Sequence, residues 1–148
     1  MTGERDIVIF DLDGTLADIS HRQHMVHGKR KNWRGFFAAC VDDAPHEAVI
    51  IILRALYPRF KIYLVSGRSD EVRDETVDWL RLNDVPWHVL IMRRRGDHTP
   101  DNILKIGWVH EGRIPRDRIL CVFDDRDKVV KAWRQADIPC FQVAEGNF

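Results

Sequence analysis

No apolar run in these 148 residues approaches the roughly 20 that a membrane-spanning helix needs, so no membrane partner is expected. Cysteine is scarce. Cys40, Cys121 and Cys140 are odd in number, lack CxxC spacing and read as buried free thiols in a reducing compartment. Net charge is absent: 23 Lys and Arg balance 23 Asp and Glu. The whole molecule is therefore not an electrostatic binder of nucleic acid, and any such binding must come from a local patch. Repeats and low-complexity segments are missing. The charged start (Glu4, Arg5, Asp6) is not of signal-peptide type, and the expected compartment is the cytoplasm. What remains is ordinary for a globular chain, 45% hydrophobic and 31% charged, with a length that suits one domain over 1–148.

The informative stretch is IVIFDLDGTLAD, Ile7 to Asp18. Its apolar run is too short for a helix and rich in β-branched residues, so it reads as a buried strand. Asp11 and Asp13 follow at its C-terminal end, where open parallel α/β sheets bind ligands. Two acids this close repel unless a cation holds them, and Mg²⁺ takes one or two carboxylates plus substrate phosphate. Gly14 permits a sharp turn, and Thr15 offers a hydroxyl and a nearby N–H to an anion. Taken alone, the same letters fit a strand and an Asp-Gly turn. The distinction lies in whether later strands end in matching groups.

They do. Residues 16–45 are polar and irregular, too long for a loop, and predict a small helical cap anchored by Trp33, Phe36 and Phe37. A helix is expected from Pro45 to near Pro58, then strand two over Lys61–Val65 ending in Ser66-Gly67-Arg68. Ser69 and Asp70 cap the next helix, and strand three runs from His88 to Met92. A helix beginning at Thr99-Pro100 carries Asp101 and Lys105 one turn apart. Strand four, Ile119 to Phe123, ends in Asp124-Asp125-Arg126; a helix over 128–135 and a strand over 138–143 complete the chain. Strands alternating with helices predict an α/β fold with a doubly wound parallel sheet. Its strand ends would gather Asp11, Asp13, Ser66, Arg68, Lys105, Asp124 and Asp125: acids, a hydroxyl and a lysine, the parts of a phosphoryl-transfer site.

DxDGT at 11–15, Ser66, Lys105 and the Asp124-Asp125 pair resemble the four signature motifs of the haloacid dehalogenase (HAD) superfamily of phosphatases. DLDGTLADISHR, VSGR, GD-x-x-x-DNILK and the stretch 122–148 are further similar to the 3′-phosphatase domain of phage-type polynucleotide kinase–phosphatases. The resemblance implies a HAD-like Rossmannoid core with a small cap over about 16–45. It implies Asp11 as nucleophile and Asp13 as general acid and base. It implies Mg²⁺ held by Asp11, the Asp13 carbonyl and Asp125, with Asp124 as the other candidate. It implies Ser66 and Lys105 on the phosphoryl oxygens, Asp101 supporting Lys105, and functional roles for Arg22 and Arg68; Thr15 and Gly67 complete the substrate-binding set. The chain departs from the bifunctional pattern in having no GxxxxGK[ST] loop, so it reads as the phosphatase part alone, with a separate kinase or ligase as a candidate partner.

The expected reaction is removal of 3′-phosphates from polynucleotide ends. The rival within the enzyme class is a phosphatase of nucleoside monophosphates or other small phosphoesters. The basic runs 29–31 and 93–95 flank the inferred site and are candidate backbone contacts, against the ordinary reading as solvated surface. His21, His24 and His27 are spaced by three, which drifts around a helix and suits no single ion; His98 lies beside the basic loop. A receiver-like signalling module would carry its acceptor acid after strand three, where this chain has Met92-Arg93. A non-catalytic nucleic-acid-binding domain would leave buried carboxylates that only cost stability. No residue pattern assigns an oligomeric state.

Overall fold

The structure, a computed structural model, describes residues 4–148. Five parallel strands form the central sheet in the order β5-β4-β1-β6-β7. They are β1 (Ile7–Phe10), β4 (Lys61–Ser69), β5 (Val89–Arg93), β6 (Ile119–Asp124) and β7 (Cys140–Gln142). The chain moves from β1 outward to β4 and β5, then crosses back to β6 and β7 on the other flank. The strand order therefore reverses at β1, the kind of switch point where open α/β sheets bind ligands.

Alternation along β1 builds both faces. Val8 and Phe10 point into one core, with Ile50 and Leu53 of α2 (Glu47–Leu56) and Trp79 and Leu80 of α3 (Arg73–Leu82). Ile7 and Ile9 point into the other, with Leu104 and Trp108 of α4 (Asp101–His110) and Val129 and Trp133 of α5 (Asp127–Gln135). A strand buried on both faces must read as a continuous apolar run, and IVIF does. The three cysteines are free and buried, as expected. Among the described residues no helix is long and apolar enough to cross a membrane.

Three local features differ from the sequence reading. Strand two does not stop at Val65: β4 continues to Ser69, with a register shift against β5 between Ser66 and Ser69. That irregularity sets Gly67 and Arg68 between the paired Ser66 and Ser69, so they leave the regular ladder while remaining in the strand. The last strand shrinks to Cys140–Gln142. The segment 16–45 is not purely helical. It leaves and returns through a two-stranded antiparallel ladder, β2 (Ala17–Asp18) against β3 (Ala44–Pro45), with Ala17 opposite Pro45. Between these lie a 3₁₀ turn at Gln23–Val26, helix α1 (Trp33–Ala38) and a second turn at Ala39–Asp42. Phe36 is buried and Phe37 packs on the core, whereas Trp33 stays exposed.

Trp133 is the largest fully buried side chain, and its indole N–H reaches Asp124 at 3.4 Å. Trp133→Ala should lower the unfolding free energy by about 3–5 kcal/mol, read as a lower urea midpoint at unchanged slope. Leu82→Ala, at a position 82% exposed, should move it by less than about 0.5 kcal/mol.

Candidate active site

Two buried polar clusters meet at the C-terminal ends of β1, β4 and β6. In the first, Lys105 reaches from α4 across the sheet edge. Its Nζ donates to Asp11 Oδ1 at 2.8 Å and to Asp124 Oδ2 at 3.1 Å. The Thr15 hydroxyl lies 3.3 Å from both Asp11 Oδ2 and Asp125 Oδ1. Asp124 is further fixed by the N–H of Asp125, which donates to its Oδ1 at 2.9 Å. Asp11, Asp124 and Asp125 each offer an oxygen, all within 4.8 Å of one another. Gly14, at φ +84°, makes this approach feasible: a Cβ there would lie 1.9 Å from Asp125 Oδ2.

The charges in this cluster do not balance. Three carboxylates share the single ammonium of Lys105. Burial, then repulsion by Asp124, pushes Asp11 well above the usual carboxylate range, although Lys105 pulls the other way. Burial and Asp124 push Asp125 up to about 6. For Lys105, burial opposes protonation, but Asp11 and Asp124 outweigh it and hold the ammonium charged. Excess anionic charge from close hard oxygen donors fits a Mg²⁺-type cation. Asp124 already serves Lys105, the backbone N–H of Asp125 and Trp133; Asp125 accepts only a long contact from Thr15 and keeps lone pairs free.

The second cluster does balance. Asp13 Oδ1 accepts from Arg22 Nη2 at 2.6 Å and Arg68 Nη2 at 2.5 Å. Asp43 accepts from Arg22 Nε and Nη2, both at 2.8 Å, and more distantly from Arg68. Two guanidiniums face two carboxylates, and both arginine side chains are fully buried. Burial disfavours the Asp13 carboxylate, yet Arg68 and Arg22 outweigh it and hold its pKa at about 2. Arg22 also donates to the Phe36 carbonyl at 3.0 Å, and Arg68 to Thr76 Oγ1 at 3.0 Å. The Trp79 indole donates to the Asp43 carbonyl at 2.9 Å, and His21 sits 2.7 Å from its carboxylate.

The structure thus brings together Asp11, Asp13, Thr15, Arg22, Ser66, Arg68, Lys105, Asp124 and Asp125, and it gives several of them partners within the fold that the sequence did not announce. Arg22 and Arg68 do not face solvent as open phosphate ligands; Asp13 and Asp43 occupy them. Thr15 is fully buried, its N–H donates to the Leu12 carbonyl, and its hydroxyl lies between two acids, so it does not offer an open anion seat. Asp101 makes no hydrogen bond to Lys105. It accepts from Arg93 at 2.6 Å and Arg126 at 3.2 Å, and only its field reaches Lys105. The Gly67 carbonyl is taken by Arg93 Nε at 2.7 Å, and a Cβ on Gly67 would strike Asp101. Arg93 also donates to the carbonyls of Asp97 and Thr99, so it clamps a loop and is not a free backbone contact. Ser66 is fully buried, and its Oγ accepts from the Arg68 N–H at 3.0 Å.

Sequence reasoning missed Asp43 and the tail that backs the acid loop. Gln142 Nε2 donates to the Asp125 carbonyl at 2.9 Å, and Asp127 N–H to the Gly146 carbonyl at 2.9 Å. A Cβ on Gly146 would lie 1.9 Å from the Asp125 carbonyl oxygen. The one signal for Asp43 was indirect: two arginines near a catalytic acid pair need a second anion if they are buried.

Comparison with known proteins gives a consistent picture. Residues 5–148 match the family described as the polynucleotide kinase PNKP phosphatase domain. A "Putative bifunctional polynucleotide kinase/RNA ligase" of Autographa californica nuclear polyhedrosis virus is 28% identical over 138 residues, 89% of this chain and 18% of that protein. A chain in the structure of the Pnkp1/Rnl/Hen1 complex superposes with a TM-score of 0.85 at 30% identity, over 100% of this chain and 49% of that one. The chain therefore spans half or less of the length of these relatives. A HAD family enzyme from Bacteroides thetaiotaomicron, in complex with magnesium and inorganic phosphate, shares the fold with a TM-score of 0.56 at 13% identity, over 95% of this chain and 94% of that one.

Two outcomes follow from the clusters. Asp43→Ala leaves two buried guanidiniums facing one carboxylate and should cost about 3–5 kcal/mol of stability by urea unfolding. Asp125, raised from 3.8 to about 6, binds a proton in the folded but not the unfolded chain between those values. Its contribution therefore falls as pH rises through that window. In EDTA, Asp125→Asn should gain stability relative to the unmodified chain on going from pH 4.5 to pH 7; a pH-independent difference would refute the assignment.

Proposed function

The chain belongs to the family of polynucleotide kinase PNKP phosphatase domains, and we propose that it removes 3′-phosphates from polynucleotide ends by a Mg²⁺-dependent reaction through an aspartyl-phosphate. One observation carries the reading: Asp11 stands at the switch point with one oxygen on Lys105 and the other toward Thr15, beside Asp125. Mg²⁺ would be held by Asp11, Asp125 and the Asp13 carbonyl, with Asp124 behind them. When bound it would neutralise the acids, keep Asp11 ionised and let an anionic phosphate approach.

The remaining work belongs to the side chains. Asp11 attacks phosphorus in line, and the oxygen of the ester leaves. Lys105 and the Ser66 hydroxyl bind the transferred oxygens, Lys105 shifting part of its charge from Asp11 to the phosphoryl group. Asp13 takes a proton from the water that opens the aspartyl-phosphate. The arginine clamp suits that half-reaction, because it keeps Asp13 as a carboxylate. The ester oxygen must leave with a proton, which Asp13 can supply only while protonated, a state that Arg22 and Arg68 oppose. The named relatives, a polynucleotide kinase/RNA ligase and a complex containing Rnl, support a setting in which a separate kinase or ligase acts on the same ends.

The rival substrate class, nucleoside monophosphates and other small phosphoesters, draws on the same site chemistry. Phosphate release should be compared, with Mg²⁺, for a 3′-phosphate oligonucleotide, its 5′-phosphate counterpart and 3′- and 5′-mononucleotides. The expected result is strong preference for the 3′-phosphate oligonucleotide; equal or better turnover of mononucleotides would move the function to nucleotide metabolism. Asp11→Asn should lower turnover by several orders of magnitude while leaving the unfolding curve cooperative. Robust activity in that variant would remove the nucleophile.

A further inference from the structure

The chain is neutral overall, but its charge is not evenly spread. From Ile19 to Val41 there is no Asp or Glu, while Arg22, Lys29, Arg30, Lys31 and Arg34 and three histidines fall in the same stretch. Arg22 is spent internally on Asp13 and Asp43. The other four cations are exposed, and among the described residues they form no salt bridge. They surround an aromatic surface. Trp33 is 46% exposed at the start of α1, with Lys31 Nζ 6.0 Å from its ring centre.

The exposed indole is held from beneath. It packs edge-on against Phe36 at 5.8 Å and tilted on Phe37 at 6.0 Å. Asn32 caps the helix by accepting from the Gly35 N–H at 2.9 Å. The same support leads to the acid site. The Arg22 guanidinium lies 4.3 Å over the Phe36 ring, takes the Phe36 carbonyl, and donates to Asp13. One aromatic ring and one guanidinium thus separate the Trp33 platform from the acid two residues after Asp11. A rigid exposed indole with unpaired cations on a neutral protein matches the way single strands are gripped without sequence preference: bases stack and cations follow the backbone.

We infer that Trp33, Lys29, Arg30, Lys31 and Arg34 form a subsite for single-stranded nucleic acid, with Trp33 stacking on a nucleobase a few nucleotides from the terminal phosphate. This inference rests on the polynucleotide reading of the site and names where the strand lies. It places the strand on the cap run; in the 93–95 run Arg93 is used within the fold and Arg95 pairs with Glu71 at 2.9 Å, which leaves Arg94 alone exposed without a salt bridge among the described residues.

The test separates binding from hydrolysis. A fluorescein-labelled single strand ending in a 3′-hydroxyl is titrated with the unmodified chain, with Trp33→Ala, with Trp33→Tyr, and with a Lys29→Ser, Arg30→Ser, Lys31→Ser triple variant, and anisotropy is read at several salt concentrations. Trp33→Ala should weaken binding about 5- to 100-fold and Trp33→Tyr should restore most of it. The triple variant should lower the slope of log affinity against log salt by about 2. Hydrolysis of a 3′-mononucleotide should be unchanged in all three variants. Unchanged affinity in Trp33→Ala and an unchanged salt slope in the triple variant overturn the inference; if Trp33→Ala does not fold, the salt slope decides alone. Strand binding that depends on Trp33, without release of phosphate from a 3′-phosphate strand, would overturn the proposed reaction and leave the subsite standing.

Discussion

Everything in this molecule depends on burying three carboxylates around one ammonium. Asp11, Asp124 and Asp125 crowd within 4.8 Å, and Lys105 alone answers them. Taking such charges out of water costs several kcal/mol per ion, and removing either partner leaves the other stranded. The sheet must therefore be rigid where they sit. β1 runs between β4 and β6, buried on both faces, so Asp11 is carried on a strand that cannot yield. Trp133 and the backbone N–H of Asp125 hold Asp124, and the tail holds the Asp125 backbone from behind. The excess negative charge that remains is the reason the site fits a divalent cation.

Beside it lies a cluster with the opposite logic. Asp13 and Asp43 face Arg22 and Arg68, two charges against two, although the buried Arg68 Nε has no hydrogen-bond partner. Arg68 belongs to β4 and Asp13 to the turn that follows β1; Arg22 and Asp43 belong to the excursion between β2 and β3. The ion network is thus the joint that fixes the excursion against the sheet, and it does so on the very acid that would exchange protons. The unbalanced cluster carries the excess negative charge that a divalent cation would relieve. The balanced one holds Asp13 ionised, pairs its charge, and ties its position to that of α1 through the Phe36 carbonyl.

The sheet was legible in the sequence because each of its signals is local. IVIF, KIYLV and ILCVF are short apolar runs, and the acids follow them directly, so alternating elements predict the fold and the fold predicts the convergence of Asp11, Ser66, Lys105, Asp124 and Asp125. What escaped was pairing between groups with no periodic relation. Asp43 meets Arg22 across 21 residues of irregular chain, and no spacing announces it. Asp101 and Lys105 sit one turn apart, which makes them neighbours on an isolated helix. Tertiary partners override that rule, since Arg93 and Arg126 claim Asp101 while Asp11 and Asp124 claim Lys105. Arg93 reads as one letter of a basic run, yet three backbone carbonyls consume it.

The formal charge of zero hides local imbalance, a buried acid cluster at the sheet edge and an acid-free stretch from Ile19 to Val41. Asp11, Asp124 and Asp125 are buried together where the sheet ends, so their field is focused into a small region, while most other acids lie at the surface. The cations of the cap are displaced outward and left in water, where each costs little to keep unpaired. A polyanion would meet the cap cations before the buried acids. In the proposed subsite Lys29, Arg30, Lys31 and Arg34 would match its backbone charge at a distance from the acids. Neither set could do the other's work: a basic pocket would hold phosphate without a nucleophile, and an acidic exterior would repel the strand. A buried, unbalanced anionic cluster beside exposed cations that, among the described residues, form no salt bridge is the charge pattern that the proposed reaction on a phosphorylated strand end would require.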